Sequence, residues 1–179
     1  MAGYRLKIQA LDEHARAIGY LCMRWAMLEQ RMHSCLGELG AFPDTETGEC
    51  LMAGTNMAAK ISMLKGVAFR RKPSIKWLDA FCAALNRIDN EMRVKRNRYV
   101  HDVWVHHSPT VKPVKRTHSV QIVKPQSRQR KLTTHIDEPT TADDIWNFVY
   151  QIERISTRLA LFANFEDQAF SFVETWPEK

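Results

Sequence analysis

The sequence predicts a mainly α-helical (all-α) fold of about four long helices, with a small β-hairpin inserted between helices three and four. Apolar residues recur at steps of three and four along most of the 179 residues, which is the period of a helix with one buried face. Only 7 Gly and 7 Pro are present, so few positions would interrupt a long helix. One stretch, at about 103–137, lacks this period and is rich in Val, Ile and Thr. With 45% hydrophobic residues, we expect a single domain over 1–179.

The first two helices are bounded by capping and breaking residues. Asp12 has the side chain of an N-cap, and the first helix is expected to run from there to about Gly40. The second helix is expected from about Glu49 to Arg70, where a cluster of cations and Pro73 end it. One apolar face of each helix supplies the predicted core: Ile18, Leu21, Cys22, Trp25, Leu28, Met32, Leu36 and Leu39, then Leu51, Ala58, Ile61, Leu64 and Ala68.

The third helix contains an arginine where its apolar stripe requires a leucine. Ser74 is the predicted N-cap, and the helix should reach about Tyr99. Arg96 falls on the same face as the apolar residues, and an unpaired buried charge is costly. Either Arg96 extends past the helix end or pairs with a carboxylate such as Glu29 or Glu91, or it belongs to a functional site.

The stretch that follows is strongly basic. Between 103 and 136 there are seven Lys or Arg and no Asp or Glu, so this segment carries +7 while the whole chain carries +6. The predicted hairpin turns around 124–127. Localised positive charge indicates an anionic partner, but a solvated, flexible insert stays an alternative. Acidic residues in the first turn then predict a fourth helix that begins at 141–144 and breaks near Asn164.

The residues Arg96-Asn97-Arg98-Tyr99-Val100-His101 place an arginine, an amide and a histidine near the end of the third helix. This Arg-x4-His pattern, with Asn directly after the Arg, resembles the motif of the HEPN superfamily. The resemblance covers the predicted bundle, roughly 150 residues, but its specific part is the six-residue motif. It implies a compact HEPN-like helical bundle and a homodimer whose two motifs face one cleft. Many members of that superfamily are metal-independent ribonucleases, and others bind nucleotides or partner proteins.

The motif residues suit RNA cleavage by the 2′-hydroxyl of the RNA itself. His101 could move protons near neutral pH, and Arg96 could hold two phosphate oxygens in its planar fork. Asn97 could orient His101, which is four residues away and on the same helical face. Arg96 and His101 are five residues apart, or about 140° on an ideal helix. Either the helix unwinds before His101, or two chains each supply part of the site.

Seven further residues are expected to bind RNA through phosphates or base stacking. The competing interpretation makes His101 a helix C-cap and the basic residues a solvated surface. Trp25, Trp77 and Trp146 are expected in the core because of their helical phase. The predicted RNA-binding residues are Arg98, Trp104, Lys115, Arg116, Arg128, Arg130 and Lys131.

No cofactor and no metal is expected. The cysteines form no Cys-x-x-Cys pair, and the spacing of His101, His106 and His107 matches no usual zinc pattern. The chain contains no apolar run near the roughly 20 residues that span a bilayer and no apolar signal core, so we expect a cytoplasmic protein without a membrane partner.

The leading hypothesis is a metal-independent endoribonuclease of the HEPN type, from a toxin–antitoxin or defence system. Its expected partners are RNA and a second copy of the chain, with an antitoxin or a nucleotidyltransferase as a further candidate. The first alternative is a catalytically inactive HEPN-like module that binds a nucleotide or a protein. The second is a structural helical dimer with a basic RNA-binding hairpin.

Overall fold

A computed structural model describes residues 2–40, 45–71, 74–105, 114–122 and 130–164. These residues are mostly helical, which confirms the predicted mainly α-helical class. The elements in chain order are α1 (Ala2–Gly40), α2 (Thr45–Met52), α3 (Met57–Arg70), α4 (Ile75–Arg87), a π-helical turn (Ile88–Met92), α5 (Arg93–His101), β1 (Val103–Val105), β2 (Val114–Ile122), β3 (Arg130–Pro139) and α6 (Ala142–Asn164).

The chain divides into two compact units. The first, here called the motif unit, comprises Met1–Cys22 and Lys95–Val149. The second, here called the helical unit, comprises Met23–Val94 and Tyr150–Lys179. Because α1, α5 and α6 each extend across a boundary, both units contain parts of the same helices.

The helical unit has an aliphatic and aromatic core. Trp77 stacks on Phe81 with ring centroids 4.9 Å apart, and Phe162 meets both rings edge-on at 5.5 and 5.4 Å. The predicted core positions Trp25 and Trp77 are confirmed, since each is only 5% exposed. The fully buried side chains of this unit include Leu28, Met32, Leu36, Leu64, Leu85, Ile88 and Ile152.

The predicted single helix over 49–70 is wrong, because the chain forms α2 and α3 with a turn between them. Gly54 has φ 75°, a left-handed conformation that suits glycine and cannot continue a right-handed helix. Asn56 then caps α3, since the Ala59 N–H donates to Asn56 Oδ1 at 2.9 Å. Leu51 and Ala58, predicted core positions on either side of this turn, are both exposed, and the Gly-Thr-Asn run between them interrupts the apolar steps.

The third predicted helix begins as expected and ends two residues later. The Trp77 N–H donates to the Ser74 Oγ at 3.3 Å, which confirms the N-cap. The π-helical turn at Ile88–Met92 accommodates one extra residue without ending the helix. The helix then continues as α5 to His101, so the motif lies at its C-terminal end.

The strands of the motif unit form an antiparallel sheet in the order β1-β2-β3. β2 and β3 pair with a register irregularity between Thr117 and Ser119. β1 was not expected from the sequence. The predicted turn at 124–127 lies outside the described residues.

The start of α6 is stabilised by a reciprocal cap. The Asp144 N–H donates to the Thr141 Oγ1 at 3.2 Å, and the Thr141 N–H and hydroxyl donate to Asp144 Oδ2 at 2.8 and 2.7 Å. This confirms the predicted helix start at 141–144. Within the described part of the chain, none of the helices is both long and apolar enough to span a membrane.

Candidate functional site at the end of α5

The helix α5 is basic and has little apolar surface. Its nine residues include four Lys or Arg and no Asp or Glu, and Tyr99 is its buried residue. The last turn therefore depends on one aromatic side chain for its packing, and it presents polar groups around that anchor.

Arg96 and Asn97 are both half-buried and contact each other. The Arg96 Nη1 donates to the Asn97 Oδ1 at 3.1 Å. Because the side-chain oxygen of Asn97 is the acceptor, its amide nitrogen stays a donor for a further group. The two carboxylates considered as partners of Arg96 form other ion pairs: Glu29 with Lys60 and Glu91 with Arg87, each at 3.8 Å.

His101 lies in the last turn of α5 and is exposed. The helix does not unwind before it, since the Asp102 N–H donates to the Arg98 carbonyl at 3.0 Å. This excludes the first of the two arrangements that the sequence left open. On an unbroken helix, Arg96 and His101 point about 140° apart. One chain therefore does not direct both side chains at the same phosphate through this helix alone.

Four aromatic rings hold the end of α5, and we call them the aromatic support: Tyr99, Trp104, His14 and Phe148. The Trp104 Nε1–H donates to the Tyr99 carbonyl at 3.0 Å, and its ring lies parallel to the Tyr99 ring at 6.5 Å. The ring centroid of Tyr99 lies 5.6 Å from that of Phe148, and the ring centroid of Trp104 lies 5.4 Å from that of His14. The support therefore satisfies a carbonyl of the last helical turn, which would otherwise lack an intrahelical donor.

His14 completes the support and was missed by the sequence analysis. It is 7% exposed, and its Nε2 lies 3.0 Å from the Thr140 carbonyl, so this nitrogen carries the proton and donates. The sequence held one signal: His14 precedes Leu21 by seven residues on the apolar face of α1. A histidine at a core position needs a polar partner, and the partner here is the backbone just before α6.

Trp104 was expected to stack on an RNA base. It is half-buried, its indole N–H donates to the Tyr99 carbonyl, and part of its ring contacts His14. Base stacking by Trp104 therefore stays a prediction for the exposed remainder of the ring. Arg98, the third residue of the motif, is exposed and accessible to a phosphate.

The strand register separates the predicted basic residues into two groups. Lys115 lies opposite Glu138, and Arg116 opposite Asp137, so both have acidic cross-strand neighbours. At the other end of the β2–β3 strand pair, Arg130 lies opposite Ile122, and Lys131 lies opposite Gln121. The backbone register therefore places acidic residues opposite the basic positions near β1 and none opposite Arg130 and Lys131. Arg128 lies outside the described residues.

In the described part of the chain, the cysteines and the metal-binding side chains form neither a reactive thiol site nor a metal site. Cys22, Cys35, Cys50 and Cys82 are free, and no group of three or more His, Cys, Asp or Glu there could hold a metal ion. Burial, with a smaller contribution from Glu38, raises the pKa of Cys35 to about 12. Its Sγ donates to the Leu159 carbonyl at 3.4 Å, so Cys35 is an inert core thiol. His106 and His107 lie outside the described residues.

The helical unit also contains an open groove of about 410 Å³ between α1 and α6. Its polar floor is an ion pair in which Arg24 Nε lies 2.7 Å from Glu153 Oε1. Arg31 also lines the groove, so the lining carries two cations and one carboxylate.

Comparisons of the chain with known protein families, with curated proteins and with solved structures find no match.

Proposed function

We propose that this protein is a metal-independent endoribonuclease of the HEPN type. The observation that carries the proposal is the arrangement of Arg96, Asn97 and His101 on one unbroken helix end. Asn97 orients the guanidinium of Arg96, and His101 is accessible to solvent. An oriented guanidinium and an accessible imidazole are the two groups that cleavage at a phosphate requires.

The active form in this proposal is a homodimer with both motifs in one cleft. Because Arg96 and His101 diverge by about 140° on the helix, the complementary group must come from a second copy. Each α5 carries four cations and no acid, so two such helices repel each other until an anion lies between them. The RNA phosphate is that anion, and it couples substrate binding to assembly of the site.

The reaction uses the 2′-hydroxyl of the RNA as nucleophile. His101 accepts the 2′-hydroxyl proton, the 2′-oxygen bonds to phosphorus, and the bond to the 5′-oxygen breaks. The leaving 5′-oxygen takes the proton that the same His101 has accepted. Arg96 binds the non-bridging oxygens, where negative charge accumulates in the transition state. The products are a 2′,3′-cyclic phosphate and a 5′-hydroxyl end.

The finer fold belongs to this proposal as well: a HEPN-like bundle whose basic insert lies between the motif helix and α6. We propose Arg130 and Lys131 as phosphate contacts of the insert, and the register supports this choice because acidic residues lie opposite Lys115 and Arg116 but not opposite Arg130 and Lys131.

The first test is RNA cleavage in EDTA with analysis of the product ends. His101→Ala should lose about 10²–10⁴-fold in rate, the usual contribution of a positioned acid or base. Arg87→Ala is the matched control, since Arg87 lies on the preceding helix and forms only a 3.8 Å pair with Glu91; its activity should match wild type. Wild-type protein that binds RNA but cuts none of a broad panel would favour the inactive binding module.

A subunit-mixing experiment tests the shared site. Arg96→Ala and His101→Ala are each expected to be inactive as pure proteins. Mixed in equal amounts and allowed to exchange subunits, they should regain roughly a quarter of wild-type activity, since half of the dimers are mixed and each has one intact site. A mixture that stays inactive, despite verified exchange, would show that each site lies within a single chain.

A further inference from the structure

A second acid-free segment lies in the helical unit. Residues 50–78 contain six Lys or Arg and no Asp or Glu. Three of these cations act within the fold. Lys60 pairs with Glu29 at 3.8 Å, Lys65 Nζ donates to Asn86 Oδ1 at 2.6 Å, and Arg71 donates to the last carbonyls of α1. The remaining cations are close together in sequence, at 70, 72 and 76.

These cations flank the two most exposed large apolar side chains in the described part of the chain. Phe69, near the end of α3, is 70% exposed, and Ile75, the first residue of α4, is 76% exposed. Arg70 and Lys76 are exposed beside them. We call these four residues the α3–α4 corner. The Lys65–Asn86 contact joins α3 to α4, and the two apolar side chains lie at the adjoining ends of these helices, near the C-terminus of α3 and at the N-terminus of α4.

The corner departs from what stabilises helix ends. The first turn of a helix favours Asp or Glu, yet α4 has no acidic residue there and has Ile75 and Lys76 instead. Both exposed apolar side chains leave most of their surface in contact with solvent. Residues that break local rules without a compensating contact within the protein indicate a contact outside it.

We propose that the α3–α4 corner binds the surface of an anionic lipid bilayer, independently of the ribonuclease site. Phe69 and Ile75 would insert among the lipid headgroups, and Arg70 and Lys76 would contact the lipid phosphates and carboxylates. The expectation of no membrane partner rested on the lack of a spanning segment, and contact at the bilayer surface needs none.

Other occupants fit the corner less well. A peptide is recognised in a groove or at a strand edge, whereas these residues project from a turn between helices. RNA could use Arg70, Lys76 and the Phe69 ring, but Ile75 has no aromatic face on which a base could stack. A second copy related by a two-fold axis would bring the same cations against each other. A bilayer accommodates both the apolar and the cationic side chains.

Vesicle flotation of the full-length protein tests the proposal. We expect binding to phosphatidylcholine vesicles that contain about 30 mol% phosphatidylserine, no binding to phosphatidylcholine alone, and weaker binding at higher salt. Phe69→Ser with Ile75→Ser should weaken binding by at least about tenfold. Arg70→Ala and Lys76→Ala should each weaken it by about fivefold.

The matched control is Met23→Ser with Arg31→Ala, which removes one exposed apolar and one exposed cationic side chain from α1. This control should bind vesicles like wild type, and circular dichroism should show that all variants are folded. Wild-type protein that does not bind anionic vesicles would overturn the proposal. Unchanged vesicle binding by the Phe69→Ser, Ile75→Ser variant would also overturn it, because the protein would then bind by charge attraction without inserting these side chains. Corner variants that bind RNA more weakly but vesicles normally would reassign the surface to nucleic acid.

Discussion

The two aromatic clusters of the protein serve different purposes. In the helical unit, Trp77, Phe81 and Phe162 pack on one another and are at most 5% exposed. In the motif unit, two rings of the aromatic support donate hydrogen bonds: Trp104 to the Tyr99 carbonyl and His14 to the Thr140 carbonyl. The first cluster stabilises by burial of apolar area, and the second orients a polar helix end.

If this distinction is correct, truncation of the helical-unit cluster should have a large and general effect. Phe81→Ala removes a fully buried ring and should lower the free energy of unfolding by about 3–5 kcal/mol, through lost burial and a new cavity. Urea denaturation measures this. Phe69→Ala is the control, because the same change at a 70% exposed position should cost less than about 0.5 kcal/mol. Equal losses would contradict the placement of Phe81 in the core.

The helical unit should also lose stability in alkali through Cys35. Burial raises the pKa of this thiol from 9.0 to about 12, so the folded state favours the protonated form. As the pH rises past 9.0, the unfolded chain releases the proton first, and the folded state loses its advantage progressively until about 12. Cys35→Ala should therefore show a flatter loss of stability over this range in urea titrations. An identical slope for wild type and variant would mean that the thiol is not buried.

The two units also differ in how far the sequence predicts them. The apolar face of α1 was predicted correctly at Leu21, Leu28 and Met32, since a buried helical face must repeat every 3.6 residues. The break at Gly54 was not predicted, because the seven-residue spacing of Leu51 and Ala58 suits one helical face, yet both side chains are exposed. The π-helical turn leaves no clear sequence pattern, because it differs from an α-helix by one shifted hydrogen bond.

At the candidate site, the position of the motif at a helix end was predicted, but its support was not. The contact between Trp104 and the Tyr99 carbonyl depends on how the chain turns after α5, which residue spacing does not determine. The pairing of Lys115 with Glu138 depends on strand register, and a shift of one residue would change every such neighbour. Local patterns therefore identified the candidate side chains, whereas contacts between distant segments decide how they are held.

The smallest expected effect is also the most specific to the aromatic support. Trp104→Phe keeps an aromatic ring near Tyr99 and His14 but removes the indole N–H that the Tyr99 carbonyl accepts. The free energy of unfolding should fall by only about 0.5–1.5 kcal/mol, the net contribution of one hydrogen bond. The loss should be local, because the last turn of α5 would open more often. Hydrogen exchange of the Asp102 amide, which donates to the Arg98 carbonyl, should become faster.

Trp25→Phe is the matched control for this measurement. It removes another indole hydrogen bond of the same length, 3.0 Å, from Trp25 to Glu29 in the helical unit. Trp25→Phe should lose more global stability, because Trp25 is buried and its acceptor is a carboxylate, but only Trp104→Phe should accelerate exchange at Asp102 and, if the protein cleaves RNA, lower the turnover number more than substrate affinity. The turnover number should respond because His101 belongs to the turn that opens, and a positioned acid or base loses efficiency when its geometry fluctuates. Equal exchange at Asp102 in the two variants would show that Trp104 packs against α5 without holding its end.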